Sequence, residues 1–233
     1  MRPATLFLVS LLVLEVGCGV TADTESPSVE ESGFEEQLTV GRLGAADRIE
    51  IARSTIRDED LDALSVDDVW LETLIVDSGV VGDRGAAAIV RLPSLIHLRL
   101  RESPLTDDGM RLLATCESLR VLNLPQCGAT AEGVRALSEL PKLRNLRIGG
   151  TALGRDTAAA LASIKTLRQI HLIGVPIDDE GLKLVANLPN LESLYVDDGS
   201  VSPAGWDWLF ETYPDLHVHV NQQHLDRQQD HHP

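Results

Sequence analysis

Three groups of residues in this chain have side chains able to do chemistry, and their spacing says what chemistry that would be. His217 and His219 stand two apart, with His224 close behind. Alternate residues of a strand share a face, so two imidazoles spaced this way can ligate one zinc ion. Leu216, Val218 and Val220 interleave with them, and a strand with its apolar side turned inward points those histidines at solvent instead. The solvent-facing arrangement is the expectation, with no metal and no cofactor. The second group is the cysteines, Cys18, Cys116 and Cys127. The third is a recurrence of Arg99, Arg101 and Arg147 with His97 and His171, cations suited to holding carboxylates. Ser, His and Asp also occur, but in no spacing that sets a nucleophile beside a base. No Gly-x-Ser-x-Gly elbow, phosphate loop or His-Glu-x-x-His stretch is present, and Gly149-Gly150 reads as a strand exit. No catalytic residue is assigned, and the chain is expected not to be an enzyme.

What must position these residues is a repeat. Leu-x-x-Leu-x-Leu recurs as Leu71/Leu74/Val76, Leu95/Leu98/Leu100, Leu119/Leu122/Leu124, Leu143/Leu146/Ile148, Leu167/Ile170/Leu172 and Leu191/Leu194/Val196, each 24 residues after the last. A degenerate copy at Ala46/Ile49/Ile51 precedes them, one residue out of phase, and Leu216/Val218/Val220 closes the series. Between the strands, Leu105-Thr106-Asp107-Asp108-Gly109-Met110 and Ile177-Asp178-Asp179-Glu180-Gly181-Leu182 read as helix starts. A hydroxyl residue caps the first, and acids occupy the first turn, where the helix dipole favours them. Leu92-Pro93, Leu140-Pro141 and Leu188-Pro189 end the helices, because proline cannot continue them. No acidic cluster has the ligand spacing of a calcium loop.

These strings resemble the leucine-rich-repeat family, over residues 43–220, with units similar to those of ribonuclease-inhibitor-like and F-box-associated repeat proteins; no F-box segment precedes them. The resemblance implies an α/β solenoid, a horseshoe with parallel strands on the concave face and helices on the convex face. In such a sheet the residues between the aliphatics face outward in three columns. The middle one reads Glu50, Ile75, Arg99, Asn123, Arg147, His171, Tyr195. Its neighbours read Arg48, Thr73, His97, Val121, Asn145, Gln169, Ser193 and Ala52, Asp77, Arg101, Pro125, Gly149, Ile173, Asp197. His97, Arg99, Arg101, Asn123, Asn145, Arg147, His171 and Tyr195 are therefore the candidate surface for a protein partner bearing carboxylates. The plainer alternative is that these cations only keep an open sheet soluble, in a scaffolding repeat protein of the cell envelope with no dedicated ligand. Cys116 replaces an aliphatic and is expected in the core. A whole strand separates it from Cys127, too far for a disulfide.

Composition bounds the rest. With 36 acidic against 20 basic side chains the net charge is −16, which argues against nucleic-acid or anionic-membrane binding over most of the surface. Only 3% of residues are aromatic, which suits a core of thin aliphatic layers. Trp206, Trp208, Phe210 and Tyr213 gather where the last layer needs a cover, and Trp70 precedes the first regular strand. Residues 1–17 read as a signal peptide, one Arg followed by an apolar run too short to span a bilayer. Gly17-Cys18 resembles the lipobox of bacterial lipoproteins, although Glu15 stands where an aliphatic is usual; simple cleavage and soluble secretion is the alternative. Residues 18–42 read as an acidic disordered tether, in which Phe34–Leu38 could form one capping turn, and residues 221–233 as a polar flexible tail. The expectation is an exported monomer in the periplasm or cell envelope, meeting the membrane only through its N-terminus.

Overall fold

A computed structural model describes residues 33–224. The expected signal peptide, Cys18 and the first part of the expected tether lie outside the described residues, as do the residues beyond His224. The strands are β1 (Arg48–Ile51), β2 (Ile56–Arg57), β3 (Thr73–Val76), β4 (Gly79–Val80), β5 (His97–Leu100), β6 (Val121–Leu124), β7 (Asn145–Gly149), β8 (Gln169–Ile173), β9 (Ser193–Asp197), β10 (His217–Val220) and β11 (Gln223–His224). The helices are α1 (Phe34–Arg42), α2 (Asp83–Ile89), α3 (Asp107–Leu113), α4 (Ala131–Ala136), α5 (Thr157–Leu161), α6 (Asp179–Ala186) and α7 (Pro203–Thr212). Strands β1, β3, β5, β6, β7, β8, β9 and β10 form one parallel sheet in that order, β11 pairs antiparallel with β10, and β2 and β4 make a separate small pair. Strand and helix alternate as the repeat requires.

The registers follow the sequence period. Thr73 pairs with His97, His97 with Val121 and Ser193 with His217, each a step of 24 residues, whereas Arg48 pairs with Thr73, which is the one-residue slip in the first copy. Leu74, Leu98, Leu122 and Ile170 on the inner face are fully buried. Each such side chain contributes about 1.5–3 kcal/mol by leaving water. Among the described residues no helix is long and apolar enough to cross a membrane.

Two ends depart from expectation. The segment expected to be tether up to residue 42, with one capping turn at Phe34–Leu38, is helical throughout Phe34–Arg42, because Phe34 and Leu38 have an apolar edge to cover and bury themselves against it. Gln37 completes the cover: its amide donates to the Glu50 carbonyl and accepts from the Glu50 N–H, both at 2.8 Å, so it substitutes for a missing strand beside β1. Behind it the Arg42 guanidinium forks onto Asp68 at 2.7 and 2.8 Å, and the Trp70 ring lies against Gly41, where a Cβ would sit only 2.0 Å away. At the other end the polar tail does not begin at 221, since Gln223 and His224 pair back onto β10. Trp206, Trp208, Phe210 and Tyr213 are half-buried against the last layer.

The acids at the helix starts do more than favour their own dipoles. Asp83 accepts from the N–H and hydroxyl of Thr106 and from the N–H of Gly109, all in the next repeat. Asp107 holds Thr130 and Gly133 the same way, Asp58 holds Gly82 and Gly85, and Asp179 holds Ser202. Each carboxylate thus staples one repeat to the following helix start. Asp178 caps its own helix, through the N–H of Gly181 at 3.0 Å.

Candidate functional site

The ladder places the middle column as the spacing requires: Glu50, Ile75, Arg99, Asn123, Arg147, His171 and Tyr195 are successive partners. The same step carries it on to His219, and the neighbouring column from Ser193 to His217. Prolonging the period by one copy would have found both.

Arg99, Arg101 and Arg147 converge. They line one open cavity of about 260 Å³ with Asn123, Pro125, Gln126 and Ile173. Pro125 and Ile173 stand on either side of Gly149, where the third column has no side chain. A Cβ at Gly149 would lie 2.5 Å from the Pro125 carbonyl oxygen, so the close approach of the strands excludes one. A second open space of about 360 Å³ adjoins it, lined by Pro125, Gln126, Cys127, Gly150, Thr151 and Ile173 among others. Another cavity, about 600 Å³, opens at the return loops near Pro189 and Tyr213, and none of the candidate residues lines it.

The patch is less uniformly basic than the basic residues alone suggest. The Arg99 Nε approaches Asp77 Oδ1 at 2.8 Å, an ion pair that lacks hydrogen-bond alignment, since both atoms are shielded from water without a hydrogen-bond partner. His171 Nε2 lies 2.9 Å from Asp197 Oδ2. Both carboxylates come from the third column, Asp77 as the counter-ion of Arg99 and Asp197 as the hydrogen-bond partner of the His171 ring. Arg101 and Arg147 have no carboxylate within ion-pair distance among the described residues. The Arg147 pKa is pushed down by burial first, then by Arg99 and Arg101, with Asp197 opposing. His97 is likewise shifted down, by burial and then by Arg48 and Arg99. Asn123 Oδ1 and Arg147 Nε are buried and unpartnered.

The remaining candidates are already engaged. Asn145 donates to Gln169 at 3.0 Å. Tyr195 stacks on His219 with ring centroids 4.7 Å apart and meets His171 at 5.4 Å. His217 and His219 bring their Nε2 atoms to 2.9 Å. Among the described residues no three His, Cys, Asp or Glu side chains converge where they could hold a metal ion. Cys116 and Cys127 are both buried and unpaired, and burial raises the Cys116 thiol to about 11, which makes it a poor nucleophile.

No protein-family model matches the chain, and no curated protein sequence does. Among solved structures it is similar to internalin C2 of Listeria monocytogenes, with a TM-score of 0.53 and 19% identity over 76% of this chain and 72% of that one. A chain from the complex of the Arabidopsis receptor kinase HAESA with the peptide hormone IDA and the co-receptor SERK1 aligns with a TM-score of 0.36 and 15% identity, over 69% of this chain and 35% of that one. The internalin likeness shows the fold: an α/β leucine-rich-repeat solenoid with a parallel sheet on one face and helices on the other.

Proposed function

We propose that this chain is a non-catalytic, protein-binding repeat domain that engages a carboxylate-bearing partner through its concave sheet. Its recognition residues are His97, Arg99, Arg101, Asn123, Asn145, Arg147, His171 and Tyr195. One observation carries the reading: in a protein of net charge −16, three arginines converge on one exposed cavity, and two of them, Arg101 and Arg147, have no carboxylate within ion-pair distance among the described residues. Like charges held together are unfavourable, and a partner carboxylate removes that cost on binding. The domain is exported as a monomer and held at the bacterial surface by a lipid on Cys18, or released in soluble form if cleavage occurs without lipidation. Its acidic segment stands the sheet off from that surface. Nucleic acid is not a partner.

The test uses a photo-reactive amino acid placed in turn at concave Asn145 and Tyr195 and at convex Lys183 and Arg111, in the cells that make the protein. Concave positions should give the same identifiable adduct, the convex ones none, and Arg99→Glu with Arg147→Glu should reduce the concave adduct at least tenfold. Equal labelling of both faces, or adducts indifferent to the double change in a folded protein, overturns the reading. Mass spectrometry of the mature N-terminus reads the anchor at the same time, and a chain still beginning at Met1 removes the export proposal.

A further inference from the structure

The cavity between Arg99, Arg101 and Arg147 is narrower in purpose than the face around it. Its floor carries Asn123 and Arg147, each with a side-chain atom that is buried and unbonded, Asn123 Oδ1 and Arg147 Nε. Buried polar atoms left this way are ordinarily completed by a ligand or water. Three guanidinium groups face the space and one carboxylate, Asp77, answers them through Arg99. Its side walls, Pro125 and Ile173, are aliphatic, and both walls continue into the adjoining space of about 360 Å³ beside Gly150 and Thr151. A cationic end with aliphatic flanks fits a carboxylate on a methylene stem better than it fits a compact, fully hydrated anion. The apolar continuation fits whatever residue stands next to that stem. Both spaces are open to solvent, so an extended chain can cross them without ending there.

We propose that this pair of spaces is a two-part subsite for a glutamate side chain and an adjacent aliphatic residue of an extended segment in the partner protein. The subsite rests on the concave-face reading above and gives it a chemical specificity. Arg101, which is exposed, and Arg147, at the floor, grip the carboxylate; Pro125 and Ile173 grip the stem.

The probes are blocked peptides without a free chain end: N-acetyl-Leu-Glu-Leu-amide, the same peptide with Gln for Glu, N-acetyl-Gly-Glu-Gly-amide, and inorganic phosphate. Each is titrated into the full chain while the Nε–Hε resonances of its arginines are followed by NMR. Leu-Glu-Leu should shift Arg99, Arg101 and Arg147 and leave Arg111 and Arg135 in place. The Gln peptide should bind at least tenfold more weakly, and the Gly-flanked peptide roughly threefold or more so. Arg147→Gln should weaken Leu-Glu-Leu at least tenfold, and Arg101→Gln, at an exposed position that leaves the fold intact, should do so as well. The subsite is overturned if the three resonances do not move, if the Gln peptide binds equally well, or if phosphate moves them at lower concentration than the peptide does. Concave-only crosslinks together with silent arginines would retire the subsite alone. Peptide binding with crosslinks on both faces would keep the subsite and retire the whole-face reading.

Discussion

Single side chains decide how well the exposed machinery is held, and Asp68 is the clearest case. It is buried and accepts from Arg42, from the Ser65 N–H at 2.8 Å and from the Trp70 indole at 3.2 Å. The Arg42 bond holds its pKa below the ordinary value, with Ser65 and Trp70 adding to this and burial opposing. An unfolded aspartate titrates near 3.9, so this group stabilises the fold fully above about that pH and loses its contribution as pH falls from there through the lower folded value. Asp68→Asn should cost about 2 kcal/mol at pH 7, since Arg42 stays half exposed and part of the pair is screened. In urea titrations the gap between wild type and variant should close as pH drops below about 4. A gap that stays constant down to pH 2.5 would mean that Asp68 acts by shape and not by charge. The cavity is also a matter of single residues, and the sequence disclosed it only in part. Arg99, Arg101 and Arg147 were legible from the period, because strand alternation fixes which way they face. The third column likewise shows Gly149 between Pro125 and Ile173, but that the arginines close on the space there, and that Asp77 turns toward Arg99, depend on side-chain direction, which a period of 24 residues does not encode.

At the scale of elements, the staple is a relation between repeats and has its own grammar. Where an aspartate reaches forward, the residue below it in the next helix is glycine. A Cβ at Gly109, Gly133 or Gly205 would lie 2.4 or 2.5 Å from the Oδ1 of Asp83, Asp107 or Asp179. Each of these glycines is the third residue of its helix, where alanine would by itself be favoured by up to about 0.5–1 kcal/mol. Their presence follows from the carboxylate's position. Gly133→Ala should therefore destabilise the protein by about 1–2 kcal/mol, through loss of bonds from Thr130 and Gly133 to an ionised group. In an Asp107→Ala background the same change should cost less or become favourable. A double-mutant cycle by chemical denaturation measures the coupling, and additive effects would show that Gly133 is required for its contacts with Met110 instead. The acids were legible as helix-start residues from their place after Thr106 and Ile177. Their partners were not, because the usual capping rule looks within one helix and these bonds cross 23 to 27 residues. For a similar reason the sequence shows only one capping turn of α1 within a tether: six acids between residues 18 and 37 suggest repulsion, while Phe34, Gln37 and Leu38 find partners only once an open sheet edge exists.

Across the whole molecule, the solenoid is fastened unevenly, and the slack lies behind the proposed site. A continuous ladder runs through every strand of the large sheet, so the concave side has no break. The convex side does. Staples join the units at Asp58, Asp83, Asp107 and Asp179, but the two positions between Asp107 and Asp179 on the 24-residue step are Ala131 and Arg155, which have no acceptor to offer. Arg155 meets Asp178 at 3.2 Å as an exposed pair, worth about 0–1 kcal/mol, against roughly 1.5–3 kcal/mol for hydrogen bonds to a charged group. Helix α5 shows the consequence. Its first residue is Thr157 where the stapled helices have glycine, its hydroxyl is buried without a partner, and Asp156 at the N-cap makes no side-chain bond. The cavity residues Asn123, Arg147 and Ile173 sit on β6, β7 and β8, the strands of the units around that gap. Local opening should therefore be cheapest there. A missing staple of roughly 1.5–3 kcal/mol corresponds to a factor of about 10 to 100 in the opening equilibrium. Amide hydrogen exchange at α5 should be faster by about that factor than at α3, which Asp83 and Asp107 staple on both sides. Supplying the missing pair, Ala131→Asp with Thr157→Gly, should slow α5 toward its neighbours, whereas Ala131→Asp alone should destabilise the protein because the Thr157 Cβ occupies the place the carboxylate needs. Uniform exchange along the helices would locate the stability of the solenoid in the sheet and the aliphatic layers alone, and leave the staples only the task of setting the angle between successive repeats.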